Sequence, residues 1–178
     1  MKNDNLNFRS LLKNEEFLEF YGALMGDGWM SIYNCKNSRK RKVIGFSGHL
    51  VLDKEYLIRI QSLAIKLFNR KGYMKYKLKE NTIEFNIGHE NLMFFLNKEL
   101  GFPIGKKFNL KISDLFTEDW NIVKNIIRGL FDTYGGLFFD KNKNYKQPYP
   151  IVDITTTSQV LIDQLMNILE GRGFRPIR

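Results

Sequence analysis

Asp27-Gly28 and Tyr134-Gly135 each follow a short apolar stretch with helical spacing, and these residue types limit the chemistry that either place can perform. A carboxylate at a helix C-terminus faces the negative end of the dipole, an unfavourable position unless something positive joins it. A cation would remove the conflict. The glycine that follows can turn the chain and expose its carbonyl, so Asp27 and the Gly28 carbonyl together form a hard-cation site. The same dipeptide also serves as a plain Asp-Gly turn, and that reading stands beside the first. Other chemistries have little to build on. One cysteine, Cys35, and two histidines, His49 and His89, make neither a disulfide framework nor a zinc site of normal spacing. Both histidines read as ordinary polar residues near strand ends. The glycines of Gly101 to Lys107 do not have the spacing of a P-loop.

The elements that must position these residues can be read from periodicity. Asn14 caps a helix through Phe17, Phe20, Tyr21, Leu24 and Met25, ending at Gly26-Asp27-Gly28. Trp29 to Tyr33 and Val43 to His49 read as two strands around a polar basic loop. Asp53 opens a second helix with an apolar stripe from Tyr56 to Phe68, stopped at Gly72. Tyr73 to Leu78 and Thr82 to Ile87 form another strand pair, and Asn91 to Leu100 a shorter helix. After a linker the order restarts: a helix from about Asp119 to Gly135, strand-like Leu137 to Asp140 and Ile151 to Thr157, and a helix from Ser158 to Gly171. The expected organisation is a first repeat over residues 1–101, a linker over 102–118 and an incomplete second repeat over 119–178. Relative to the first copy, the second lacks one hairpin and one helix, which would leave apolar faces uncovered, so a fragment or a natural truncation is expected.

The two copies coincide best at Gly22-Ala23-Leu24-Met25-Gly26-Asp27-Gly28 and Gly129-Leu130-Phe131-Asp132-Thr133-Tyr134-Gly135. Gly22 and Gly26, like Gly129 and Thr133, stand four apart on one helical face. Small residues there let two helices approach closely and bring their C-terminal ends together.

Charge points to an anionic partner: 28 Lys and Arg against 19 Asp and Glu give a formal +9. Thirteen of the basic residues fall between Lys36 and Lys79, opposed only by Asp53 and Glu55. Lys36, Arg39, Lys40, Arg41 and Lys42, continued by Lys75, Lys77 and Lys79, form an extended surface for a phosphate backbone, where each neutralised phosphate releases counterions. The apolar runs fall short of the roughly 18 residues of a membrane span, and the first residues lack a signal peptide's apolar stretch. No membrane association is expected, and the location expected is intracellular (cytoplasm, nucleoid or organelle matrix), not secreted.

Together, these two motifs, the Gly101 to Lys107 linker and Gly48-His49-Leu50 ahead of Asp53 resemble the LAGLIDADG homing endonucleases of the single-chain, two-motif type. The resemblance implies an α+β fold in which an αββαββα unit repeats about a pseudo-twofold axis, the second copy being cut short. It also implies a monomer with an internal pseudo-dimer whose sheets lie over the major groove of double-stranded DNA. Hydrolysis of a phosphodiester with Mg2+ (or Mn2+), one acid per motif and intron or intein mobility belong to the same implication. Carried over residue by residue, Asp27 is the catalytic acid, Asp27 and Gly28 are metal ligands, and Tyr134 with Gly135 marks a degenerate second site. A phenol cannot replace a bidentate-capable carboxylate at neutral pH, so a nickase or an impaired enzyme is expected. Asp140, on the following strand, is a weaker replacement. The alternative is a catalytically inactive protein that binds DNA or intron RNA, repressor-like or maturase-like.

Overall fold

The computed structural model describes residues 8–34, 40–140 and 147–178. Lys36 and Arg39 therefore lie outside the described residues. Helix α1 (Glu15–Met25) starts where the Asn14 side chain accepts a hydrogen bond from the Phe17 amide at 2.9 Å. Residues Phe17 to Met25 are all buried, so this helix is core on every side rather than amphipathic. Strands β1 (Gly28–Asn34) and β2 (Lys40–His49), helix α2 (Lys54–Phe68), strands β3 (Tyr73–Lys77) and β4 (Thr82–Ile87) and helix α3 (Glu90–Lys98) complete the first unit. Its antiparallel sheet has the order β1-β2-β4-β3. A 3₁₀ turn at Leu78–Glu80 joins β3 to β4, with Asn81 left-handed at its end.

The second unit holds α4 (Trp120–Tyr134), β5 (Gly135–Asp140), β6 (Tyr149–Ile154) and α5 (Gln159–Glu170). Its sheet has two strands among the described residues. The register repeats that of the first unit: Gly28 opposes Phe46 and Gly135 opposes Ile154. The turn beside it repeats too, since the Ser47 amide donates to the Asp27 carbonyl and the Thr155 amide to the Tyr134 carbonyl. Between the units, residues 99–119 form neither helix nor strand. This stretch is nevertheless anchored: Leu110, Ile112 and Phe116 are buried, the Gln164 side chain bonds both backbone groups of Ile112, and the Ser158 hydroxyl donates to the Leu110 carbonyl.

One layer of aromatic rings fills the space between α1, α2 and the first sheet. Phe20 lies 5.2 Å from both Phe46 and Phe68, at edge-to-face angles. The corresponding face of the second sheet is uncovered. By register Leu137 and Val152 are the counterparts of Met30 and Ile44; the first pair is 61% and 64% exposed, the second pair fully buried. Among the described residues no helix is long and apolar enough to cross a membrane.

Candidate active site and nucleic-acid interface

The site begins with the contact between α1 and α4, the most extensive between any two elements. A side chain at Gly22 would strike the Ile126 carbonyl, and one at Gly129 the Glu19 carbonyl, so at these points the helices touch backbone to backbone. Gly26 lies against the Thr133 hydroxyl, which donates to the Leu130 carbonyl at 2.9 Å within its own helix. A buried Glu19 carboxylate adds an ionic clamp, pairing with Arg59 of α2 and standing 3.9 Å from Arg128 of α4. The two helices consequently end side by side, with Asp27 beyond one end and Tyr134 at the other.

Lys107, from the stretch between the units, is the residue that occupies the junction. Its ammonium donates to the carbonyls of Met25, at 3.0 Å, and of Gly26, and it stands 5.5 Å from the centre of the Tyr134 ring. The path that brings it there turns at Gly105, whose φ of 92° suits glycine and whose amide donates to the Met30 carbonyl at 2.8 Å. Lys107 thus provides, from within the chain, the positive charge that the end of α1 favours.

Electrostatics in this junction are coupled. Asp27 is exposed along part of its surface, yet the surrounding protein desolvates its carboxyl enough to raise its pKa; the Lys107 ammonium opposes that rise and Asp53 adds to it. Burial lowers Lys107 to about 8, with Asp27 pulling in the other direction. Desolvation, and then the charge of Asp27, push the Tyr134 phenol up, so it is neutral at physiological pH. Tyr56 belongs to the same neighbourhood: its buried hydroxyl has no hydrogen-bond partner, and its pKa is raised by burial and by the charges of Asp132, Glu19 and Asp27.

The donor set can be tested against a divalent cation. Among the described residues no cluster of three or more His, Cys, Asp or Glu side chains is present. Asp27 is the acid placed at the helix ends, and the carbonyls that project beside it are those of Met25 and Gly26. Gly28, expected as a ligand through its carbonyl, opens β1 opposite Phe46. These groups fit one hard cation when Lys107 gives up one of the carbonyls it bonds and water and phosphate oxygens complete the shell, a pattern common for Mg2+. A second cation would lack a carboxylate at the other helix end, where Tyr134 offers only a phenol.

Of the cations expected to meet phosphate, Arg41, Lys75 and Lys77 share the face of the first sheet away from the helices, with Trp29, Tyr33 and Tyr73. Their side chains surround a depression of about 400 Å3. Arg41 stands 5.6 Å from the Tyr73 ring centre, and Lys77 pairs with Glu84 at 2.6 Å. Lys42 is different. Strand alternation turns it to the helix side, where it pairs with Glu90 of α3. Lys40 has the same parity and is exposed at the start of β2, and Lys79 is exposed in the 3₁₀ turn. The contiguous run of charge in the sequence is therefore divided between two faces.

Comparison with solved structures places this architecture. An I-DmoI variant in complex with its target DNA in the presence of manganese superposes with a TM-score of 0.63 over 91% of this chain and 78% of that chain. The chain has the LAGLIDADG homing-endonuclease fold. The LAGLIDADG meganuclease I-AabMI bound to uncleaved DNA gives 0.59, covering 93% and 74%, and the LAGLIDADG homing endonuclease I-LtrWI bound to target DNA gives 0.56, covering 88% and 73%. Sequence identities are 14% for I-DmoI and I-LtrWI and 15% for I-AabMI, so the likeness is one of fold. No protein-family model matches the sequence, and no curated protein matches it. Lys107 was not evident from residue types. The one signal for it was the lysine pair that follows Gly105 at the start of the linker.

Proposed function

We propose that this protein binds double-stranded DNA across the outer face of its first sheet and hydrolyses a phosphodiester in one strand beside Asp27. The observation that carries the reading is the asymmetry of the helix ends, with a carboxylate at Asp27, a phenol at Tyr134 and the Lys107 ammonium between them. Asp27 and a neighbouring carbonyl would hold a divalent cation, which would supply Lewis acidity at the scissile phosphate. Asp27, ionised, accepts a hydrogen bond from the attacking water and orients it. Lys107, positively charged below about pH 8, balances negative charge developing on the phosphoryl oxygens. Arg41, Lys75 and Lys77 hold the duplex through its phosphates.

The expected product is a nick. Supercoiled plasmid carrying a bound site, incubated with Mg2+, yields open circles, and Asp27→Asn abolishes them while leaving DNA binding in place. Retained binding with no relaxation in the unaltered protein favours the second reading, a DNA-binding protein without cleavage. The seat of Lys107 on the Gly26 carbonyl supports that second reading, since a metal there must share the carbonyl with an ammonium. Binding of intron RNA in preference to duplex in the same assay would point to the maturase-like variant.

A further inference from the structure

Strand β4 runs through the middle of the first sheet, with β2 on one side and β3 on the other. Its alternation sends Ile83, Phe85 and Ile87 into the core and leaves Glu84 and Asn86 lining the depression on the outer face. Asparagine is a poor choice for a central strand, which favours branched and aromatic side chains. The position opposite it on β2 is Gly45, a residue that also weakens a strand interior. What Gly45 allows is the close approach of Trp29: any side chain there would run into the indole, whose Nε1 donates to the Ser47 hydroxyl at 3.2 Å. Two residues costly to the sheet thus sit side by side, next to a ring held in place.

Asn86 is 3% exposed, and its Nδ2 has no hydrogen-bond partner among the described residues. A buried donor left unpaired carries the full cost of its desolvation, which an apolar side chain at the same place would avoid. Packing alone therefore does not call for an amide here. The charged groups around it are engaged: Glu84 pairs with Lys77 at 2.6 Å and lies 4.0 Å from Lys75, while Arg41 rests over the Tyr73 ring. The Asn86 amide still has a donor to give. Its terminal torsion is broad and two-fold, so the carboxamide turns toward the opening without moving the strand.

A carboxamide sets a donor beside an acceptor, the pattern that matches N7 and the N6 amino group of adenine in the major groove. Guanine presents two acceptors there, thymine an acceptor and a methyl group, and cytosine a donor, so none of these engages both ends. We infer that Asn86 is a specificity-determining residue that reads one adenine, donating from Nδ2 to N7 and accepting at Oδ1 from N6. The surroundings suit this role. Arg41, Lys75 and Lys77 stand around the depression to meet phosphates, and the partly exposed Tyr33 and Tyr73 border it, so one base edge enters while its neighbours rest on the rim. This inference rests on the DNA-binding reading given above and adds the identity of a base to it.

Selection of the full chain on randomised duplexes supplies a bound sequence for the test. Each adenine of that sequence is then replaced in turn by 7-deazaadenine, which lacks the N7 acceptor. At one position the replacement is expected to weaken binding by the unaltered protein roughly tenfold and to leave binding by Asn86→Val unchanged. Asn86→Val also loses the preference for adenine at that position. If every replacement acts alike on the unaltered protein and on Asn86→Val, the inference falls while DNA binding stands. No enrichment of any duplex overturns the DNA-binding reading, and the inference with it. Thermal unfolding separates reading from packing: Asn86→Val, which suits a central strand and removes the unpaired donor, is expected to melt at or above the temperature of the unaltered protein. A lower melting temperature together with an unchanged response to 7-deazaadenine identifies the amide as a packing group and overturns the inference.

Discussion

In the proposed reading, Asp27, Lys107 and Tyr134 stand at the helix ends where a symmetric site would hold two carboxylates. Tyr134→Asp restores an acid at the second helix end. Its expected effect is linear plasmid in addition to open circles, read on an agarose gel; open circles alone mean that the second end lacks more than its carboxylate. Lys107 makes a separate prediction about stability. Its folded pKa of about 8 lies below the ordinary lysine value, so between pH 8 and 10 the unfolded chain binds the extra proton and folded stability rises with pH. Above pH 10 the buried phenols of Tyr21 and Tyr56, raised by desolvation, reverse the slope because only the unfolded chain ionises them. Urea titrations of the wild type and Lys107→Met at pH 8 and pH 10 check this, with the rise absent from the variant. Asp27 and Tyr134 were legible because the repeat aligns them. Lys107 was not, because its position depends on the turn at Gly105 and the docking of the linker on β1, which no local pattern encodes.

At the scale of elements, the contact of α1 with α4 depends on having no side chain at two positions. Gly22→Ala or Gly129→Ala forces backbone apart from backbone, since the atoms each methyl would meet belong to Ile126 and Glu19 carbonyls that cannot rotate away. Each is expected to cost about 1–3 kcal/mol or more, measured as a shift in thermal unfolding. Gly26→Ala meets the Thr133 side chain instead and should cost less. The order of helices and strands was legible from period and turn residues, and so was the spacing of the small residues. Two features were not. The burial of α1 on every side reflects its place between α4 on one side and α2 with the first sheet on the other, which a single helix does not reveal. The division of Lys42 from Arg41 follows from a period of two, yet a run of like charges conceals that period when a contact surface is sought in one dimension.

For the molecule as a whole, the pseudo-twofold is kept in backbone and register but departs from symmetry in surface. One half has a sealed interior and a cationic exterior; the other retains the same strand geometry with Leu137 and Val152 in water. Strand edges and apolar faces left open in this way invite pairing with whatever polypeptide is near. The described chain should therefore grow turbid as its concentration is raised and brighten a dye such as anilinonaphthalene sulfonate without any denaturant. The double variant Leu137→Thr, Val152→Thr is expected to lower both signals with little change in melting temperature, because those side chains contribute almost nothing to the interior. In handling, solubility would then be limited by the sparsely covered half, however firmly the other half is packed.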